Sequence, residues 1–271
     1  MFPSLKLGRA FDIPVQIHWT FWLLPLWMIL TQGSEIPIAL QMLLLASISV
    51  CIVLHELGHA LTARLYGIRT RGITLYPIGG VASLERISEK PAEELAIAAA
   101  GPAVNVVIAV ALGAAIAVAN VIAPEVFPRS MAADFMSWLI VANLFMVGFN
   151  LIPAFPLDGG RMFRAILGFF TTHLKATRIA VYAGTVLTAL LMAVVFFRFP
   201  EYATPFLIVI AIFVFTAGQQ ELAMLEYRER MRRAAPFAGP SSFPVDEIQQ
   251  PVTVYLWDPR TGEWVRQEQH A

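Results

Sequence analysis

An apolar stretch near position 55 contains His55-Glu56-Leu57-Gly58-His59, an H-E-x-x-H pattern. On a helix, residues four apart lie one turn above each other on the same face, so His55 and His59 can aim ring nitrogens at one Zn²⁺. A third protein ligand and a water complete the tetrahedral shell of a catalytic zinc site. Such a water, its pKa lowered to about 7, is a usable nucleophile. Glu56, beside the metal but outside its shell, is then the candidate general base. The alternative is a helix whose two histidines are bonded to neighbouring backbone or side chains. Against it stands the cost of placing two imidazoles and a carboxylate inside an apolar run unless they have a function there.

The elements that must position these residues are themselves apolar. Of 271 residues, 58% are hydrophobic and only 14% charged, and the mean hydropathy is +0.67. These values lie outside the soluble globular range and predict an α-helical polytopic membrane protein. Apolar stretches cluster near 15–30, 36–65, 95–119, 135–152, 179–197 and 205–225, each long enough for a helix to cross a hydrocarbon core of about 30 Å. Six transmembrane helices are expected. The first is the weakest, because Pro25 interrupts it and residues 11–18 alternate like a short strand or interfacial segment. No early basic region followed by a small-residue cleavage site marks a removable signal peptide.

Charge supplies an orientation. Lys6 and Arg9 precede the first span, and Arg64, Arg69, Arg71, Arg86 and Lys90 fall between the second and third. Arg161, Arg164, Lys175 and Arg178 fall between the fourth and fifth, and Arg228, Arg230, Arg232, Arg233, Arg260 and Arg266 follow the last. The alternate loops hold only Arg129 and Arg198. By the positive-inside rule this predicts a multi-pass protein of the cell membrane with both termini cytoplasmic. The formal net charge of zero hides that asymmetry and gives no sign of nucleic-acid binding.

A third zinc ligand must reach the depth of the histidine pair. If the second helix begins near Ile36, His55 stands roughly 28 Å along it at 1.5 Å per residue, toward the cytoplasmic end. The fourth span runs toward that same side, and at its end lies Asn150-Leu-Ile-Pro-Ala-Phe-Pro-Leu-Asp158-Gly-Gly-Arg161. Pro153 and Pro156 stop a regular helix there, and Gly159-Gly160 are expected to let the backbone turn sharply. Irregular backbone at membrane depth is tolerated where it is packed in protein or lines a watery cavity. Asp158 is therefore the candidate third ligand; the alternative is a turn residue or the N-cap of a helix over 161–170. The single Cys51 excludes an intramolecular disulfide. It reads as a small buried apolar residue rather than a soft metal ligand.

Taken together, HELGHA at 55–60, PIGGVASLERI at 77–87, AAGPAVN at 99–105 and NLIPAFPLDGGR at 150–161 resemble the site-2 protease-type intramembrane zinc metalloproteases. The resemblance runs from about residue 11 to 225. It implies His55, His59 and Asp158 as ligands of one Zn²⁺, Glu56 as the catalytic base, and Asn150 as a donor that steadies the oxyanion. A side-chain amide suits that role, although an asparagine in a span can equally be interhelical glue. Asn105 is a candidate for helix packing or substrate positioning. Residues 73–84, with Gly79-Gly80 between two β-prone runs, read as a short hairpin. The resemblance implies that it is a membrane-associated β element whose edge pairs with an unwound substrate, replacing the hydrogen bonds a helix loses on extension. It further implies cleavage of a single-span membrane protein already trimmed by another protease. His18 is assigned no catalytic role.

Two regions follow: a transmembrane metalloprotease domain over 1–227 and a cytoplasmic tail over 228–271. The tail would comprise a basic juxtamembrane segment, a Pro/Ser/Gly linker at 235–244 and a hairpin built on Val252–Trp257 and residues 263–267. Nucleotide-sensing CBS modules and PDZ domains, which many relatives carry, are not expected. Two other readings keep the same residues: a membrane zinc hydrolase acting on a non-peptide substrate, and a non-catalytic zinc-binding scaffold or transporter.

Overall fold

Strict alternation of apolar residues over 13–17 and 73–75 is the pattern of a half-buried strand, and the chain uses both stretches to build one sheet. The computed structural model describes residues 4–31, 36–77, 79–199, 205–234, 252–258 and 263–269. Strands β1 (Ser4–Ala10) and β2 (Ile13–His18) form a hairpin around Phe11 and Asp12, both at positive φ. A 3₁₀ turn (Trp19–Trp22) and the short helix α1 (Leu23–Leu30) lead to α2 (Ile38–Leu65), which carries the H-E-x-x-H residues. Strands β3 (Thr70–Tyr76) and β4 (Gly79–Leu84) form the predicted hairpin, and β2 pairs parallel with β3, setting Val15 opposite Ile73 and Ile17 opposite Leu75. The sheet order is β1-β2-β3-β4. Its inner face, with Ile13, Val15, Ile17, Ile73 and Leu75 buried, packs on Leu57, Val53 and Ile52 of α2.

Helices α3 (Pro91–Ile122), α4 (Met131–Asn150), α5 (Asp158–Gly168), α6 (His173–Arg198) and α7 (Pro205–Ala234) follow. Among the described residues five helices are long and apolar enough to cross a membrane: α2, α3, α4, α6 and the Leu207–Met231 part of α7. The first expected span differs. Its beginning is recruited into β2 by pairing with β3, and His18 caps the 3₁₀ turn by accepting the Thr20 N–H at 3.4 Å. Only Trp19–Leu30 remains helical, about 18 Å at 1.5 Å per residue and short of a full hydrocarbon core. In the most apolar windows of the five long helices only 11–17% of residues are buried. Apolar surface on that scale is the lipid face of a multi-pass membrane protein.

Small residues bring the helices together. A Cβ at Gly58 of α2 would stand 2.8 Å from the Ala100 carbonyl oxygen of α3, so glycine allows the two backbones to touch. Gly159 and Gly160 work the same way rather than by the sharp turn expected of them: neither has positive φ. They lie in the first turn of α5, where a Cβ would collide with the Leu151 and Ile152 carbonyls or the Ala154–Phe155 backbone. Arg164, expected among the cytoplasmic surface charges, is 1% exposed. It pairs with Glu94 of α3 and Glu221 of α7.

By compactness the chain divides into Met1–Met224 and Leu225–Ala271. In the second unit β5 (Val252–Asp258) and β6 (Glu263–Gln269) are antiparallel, Val252 opposite Gln269 and Asp258 opposite Glu263. The expected linker at 235–244 and the turn at 259–262 lie outside the described residues.

Candidate metal centre

His55 and His59 occupy successive turns of α2, and both rings are buried, at 5% and 4% exposure. Asp158 is the first residue of α5 rather than its N-cap: Leu157 holds the cap position, with no side-chain bond there. The Asp158 carboxylate is thus not spent on capping, and it reaches across to α2. His55 Nε2, His59 Nε2 and Asp158 Oδ2 form a triangle with all three edges 3.1 Å. Gly101 of α3 floors it. Any Cβ there would collide with the His59 ring and stand 2.7 Å from His55 Nε2.

The far nitrogens of the two rings show what this triangle fits. His59 Nδ1 lies 2.7 Å from the Ile97 carbonyl oxygen, and His55 Nδ1 lies 2.9 Å from Asn105 Oδ1. Both partners can only accept, so each Nδ1 carries a hydrogen, and in the neutral ring each Nε2 then presents a bare lone pair. With both rings neutral, two imidazole lone pairs and a carboxylate oxygen converge with no hydrogen between them, an arrangement that calls for a cation. Nitrogen and oxygen ligands on a tetrahedral zinc stand about 3.3 Å apart at ordinary bond lengths, close to the observed edges. The cluster His55, His59, Asp158 can therefore hold one metal ion, and its donor set suits zinc.

Glu56 stands beside the triangle and outside it. Its Oε2 accepts the backbone N–H of Ala82 at 2.9 Å, from the edge strand β4. Gly80 leaves room for it, since a Cβ there would meet Glu56 Cγ at 2.7 Å and Ile52 Cγ2 at 2.9 Å. Asn150, at the end of α4, donates its amide to the Met146 carbonyl at 3.0 Å, and no hydrogen bond joins it to the triangle among the described residues. Cys51 is buried against the Asn143 amide at 3.4 Å and is not in the ligand cluster. His18 bonds Thr20 and packs tilted against Tyr76, with ring centroids 4.9 Å apart.

Sequence reasoning missed Asn143. It lies on α4, fully buried, with Oδ1 3.1 Å from Asn105 Nδ2. The available signal was an amide in the middle of an apolar span, where polar side chains are costly and usually functional.

A helical membrane fold that sets a two-histidine, one-carboxylate cluster beside a glutamate bonded to the edge of a small sheet defines a membrane metallopeptidase type of centre. The chain belongs to peptidase family M50, whose pattern matches residues 43–127 and 112–194. It is 34% identical to a zinc metalloprotease of Methanocaldococcus jannaschii over 227 residues, 82% of this chain and 62% of that protein. Stage IV sporulation protein FB of Bacillus subtilis is 27% identical over 219 residues, covering 80% of this chain and 67% of that one. Among solved structures, the site-2 protease from Methanocaldococcus jannaschii aligns with a TM-score of 0.57 and 34% identity, over 81% of this chain and 95% of that one. The chain thus spans about three fifths of the length of the first of these relatives.

Proposed function

We propose that this chain is an intramembrane zinc endopeptidase that hydrolyses a peptide bond in or near the membrane-spanning segment of another protein. The observation that carries it is the convergence of His55 Nε2, His59 Nε2 and Asp158 Oδ2 beside a glutamate tied to the edge of a sheet. His55, His59 and Asp158 would hold the zinc. When bound, zinc polarises the scissile carbonyl and acidifies a water. Glu56 takes the proton from that water as its oxygen adds to the carbonyl carbon, and returns it to the amine nitrogen as the C–N bond breaks.

The Ala82 N–H holds one carboxylate oxygen of Glu56, which leaves the other for the proton. An extended substrate adds alongside β4, the edge of the sheet. That pairing keeps the substrate backbone hydrogen-bonded while its helix is unwound, which a low-dielectric site demands. Asn150 would supply an amide hydrogen to the developing oxyanion after leaving the Met146 carbonyl. Substrates already shortened by another protease suit a site whose histidines and aspartate are less than a tenth exposed. By its basic-residue asymmetry the chain would lie in the cell membrane with both termini cytoplasmic.

Wild type, Glu56→Gln and Asp158→Ala are to be purified in detergent, and zinc content measured beside cleavage of a single-span membrane protein. One zinc per chain in wild type and Glu56→Gln, less in Asp158→Ala, and cleavage by wild type alone is the expected result. Glu56→Gln should lose 10²–10⁴ in rate. Cleavage undiminished in Glu56→Gln would overturn the assignment of the base. Zinc without peptide cleavage in wild type would favour a non-peptide hydrolase or a scaffold.

A further inference from the structure

We infer that Asn143, acting through Asn105, fixes the tautomer of His55 and is a positioning residue for metal binding; this rests on His55 being a zinc ligand. The direction of the bonds carries it. The Leu139 carbonyl oxygen can only accept, so the end of the Asn143 amide that meets it at 2.8 Å is Nδ2. Asn143 Oδ1 must then face Asn105, and it meets Nδ2 at 3.1 Å. That choice turns Asn105 Oδ1 to His55 Nδ1 at 2.9 Å. The ring must donate there, which leaves the lone pair of His55 Nε2 for the metal.

Two weak sulfur acceptors agree with this direction: Cys51 Sγ is 3.4 Å from Asn143 Nδ2, and Met146 Sδ is 3.5 Å from Asn105 Nδ2. Both amides are 0% exposed, so no water can substitute for a lost partner, and reversing either amide orphans several buried groups at once. His59 receives the same instruction in one step, from the Ile97 carbonyl. His55 receives it across three helices, from α4 through α3 to α2. With Asn143 removed, Asn105 is free to rotate its NH₂ toward Nδ1. His55 then carries its hydrogen on Nε2, where the metal should be.

The test uses the full chain in detergent, stripped of metal and titrated with zinc against a competing chelator. Outer partners of this kind typically govern 10- to 100-fold in metal affinity. Asn143→Leu and Asn105→Leu should each weaken zinc binding by that factor, and the double variant no further, since both cut one route. Asn105→Asp can only accept from Nδ1, so adding it to Asn143→Leu should restore affinity to within a few-fold of wild type. A purely structural role for Asn143 predicts no such rescue. Ring ¹⁵N spectra of metal-free wild type should show His55 protonated at Nδ1, and this needs no variant to fold.

Unchanged zinc affinity in folded Asn143→Leu, failure of the Asn105→Asp rescue, or an Nε2–H tautomer in wild type would each overturn the relay. Asp158→Ala runs alongside. If it alone loses zinc, the ligand assignment stands and the relay falls; if it binds as wild type does, both fall.

Discussion

At the scale of single residues, two glycines separate the two tasks of the site. Gly101 lies under the imidazoles and Gly80 under the glutamate. Gly101→Ala forces a methyl against the imidazoles of both His55 and His59, so its zinc affinity should fall at least 10-fold, measured by chelator competition. Gly80→Ala instead presses on Glu56 Cγ and Ile52 Cγ2, with neither imidazole among its nearest neighbours. It should keep one zinc per chain and lose turnover by 10-fold or more. Equal zinc affinity in the two alanine variants would refute this division. The cluster His55, His59 and Asp158 and the neighbouring Glu56 were legible because their signals are local or chemically conspicuous: a four-residue helical repeat, and an acid among prolines and glycines at the end of a span. Asn143 was not. Its contribution is the direction of a bond chain linking residues 55, 105 and 143, and no spacing rule encodes which end of an amide faces which neighbour.

At the scale of elements, α5 must hold Asp158 still although the seven residues before it form no helix or strand. Arg164, six residues on, anchors it. Its Nε donates to Glu94 of α3 at 2.9 Å, its Nη1 to Glu221 of α7 at 2.6 Å, and the guanidinium lies 4.9 Å from the Phe155 ring centroid. Glu94 is 1% exposed, so Arg164→Leu strands a buried carboxylate. Removing one partner of such a pair typically costs about 3–5 kcal/mol, whereas replacing both by apolar groups costs far less. Thermal unfolding in detergent should therefore fall sharply in Arg164→Leu and recover in the Arg164→Leu, Glu94→Leu pair. A double variant no more stable than the single would show that the charge itself is not what Arg164 contributes. The long helices could be read directly from apolar runs of sufficient length. The sheet could be read only in part, because β2–β3 pairing joins residues 15–17 to residues 73–75. A contact over that separation leaves no periodic trace beyond the alternation of each strand. β1 was invisible, since five of its seven residues are exposed and carry no buried face.

At the scale of the whole molecule, the short first helix raises the question of whether the chain crosses before α2 at all. The sheet answers through connectivity. β2 pairs with β3, which follows the C-terminal end of α2, so β1 and β2 belong at that end. α2 has 28 residues, about 42 Å at 1.5 Å each, and the chain must reach its far end from β2 through the 3₁₀ turn, α1 and the residues up to Pro37. On that connectivity the first pass would be completed with a helix too short to span alone, started from the sheet beside the site. Parity is the same as with six full spans, which puts Lys6 and Lys90 on one side of the membrane and Glu125, between α3 and α4, on the other. All three positions are exposed, and the one native cysteine is buried, so single-cysteine labelling has little background. A membrane-impermeant maleimide applied to intact cells should modify Glu125→Cys and spare Lys6→Cys and Lys90→Cys until the membrane is opened, as the basic asymmetry requires. Labelling of Lys6→Cys together with Glu125→Cys would mean that α1 turns back without crossing. The β2–β3 pairing could not then form as described, and the sheet that holds Glu56 would lose two of its four strands.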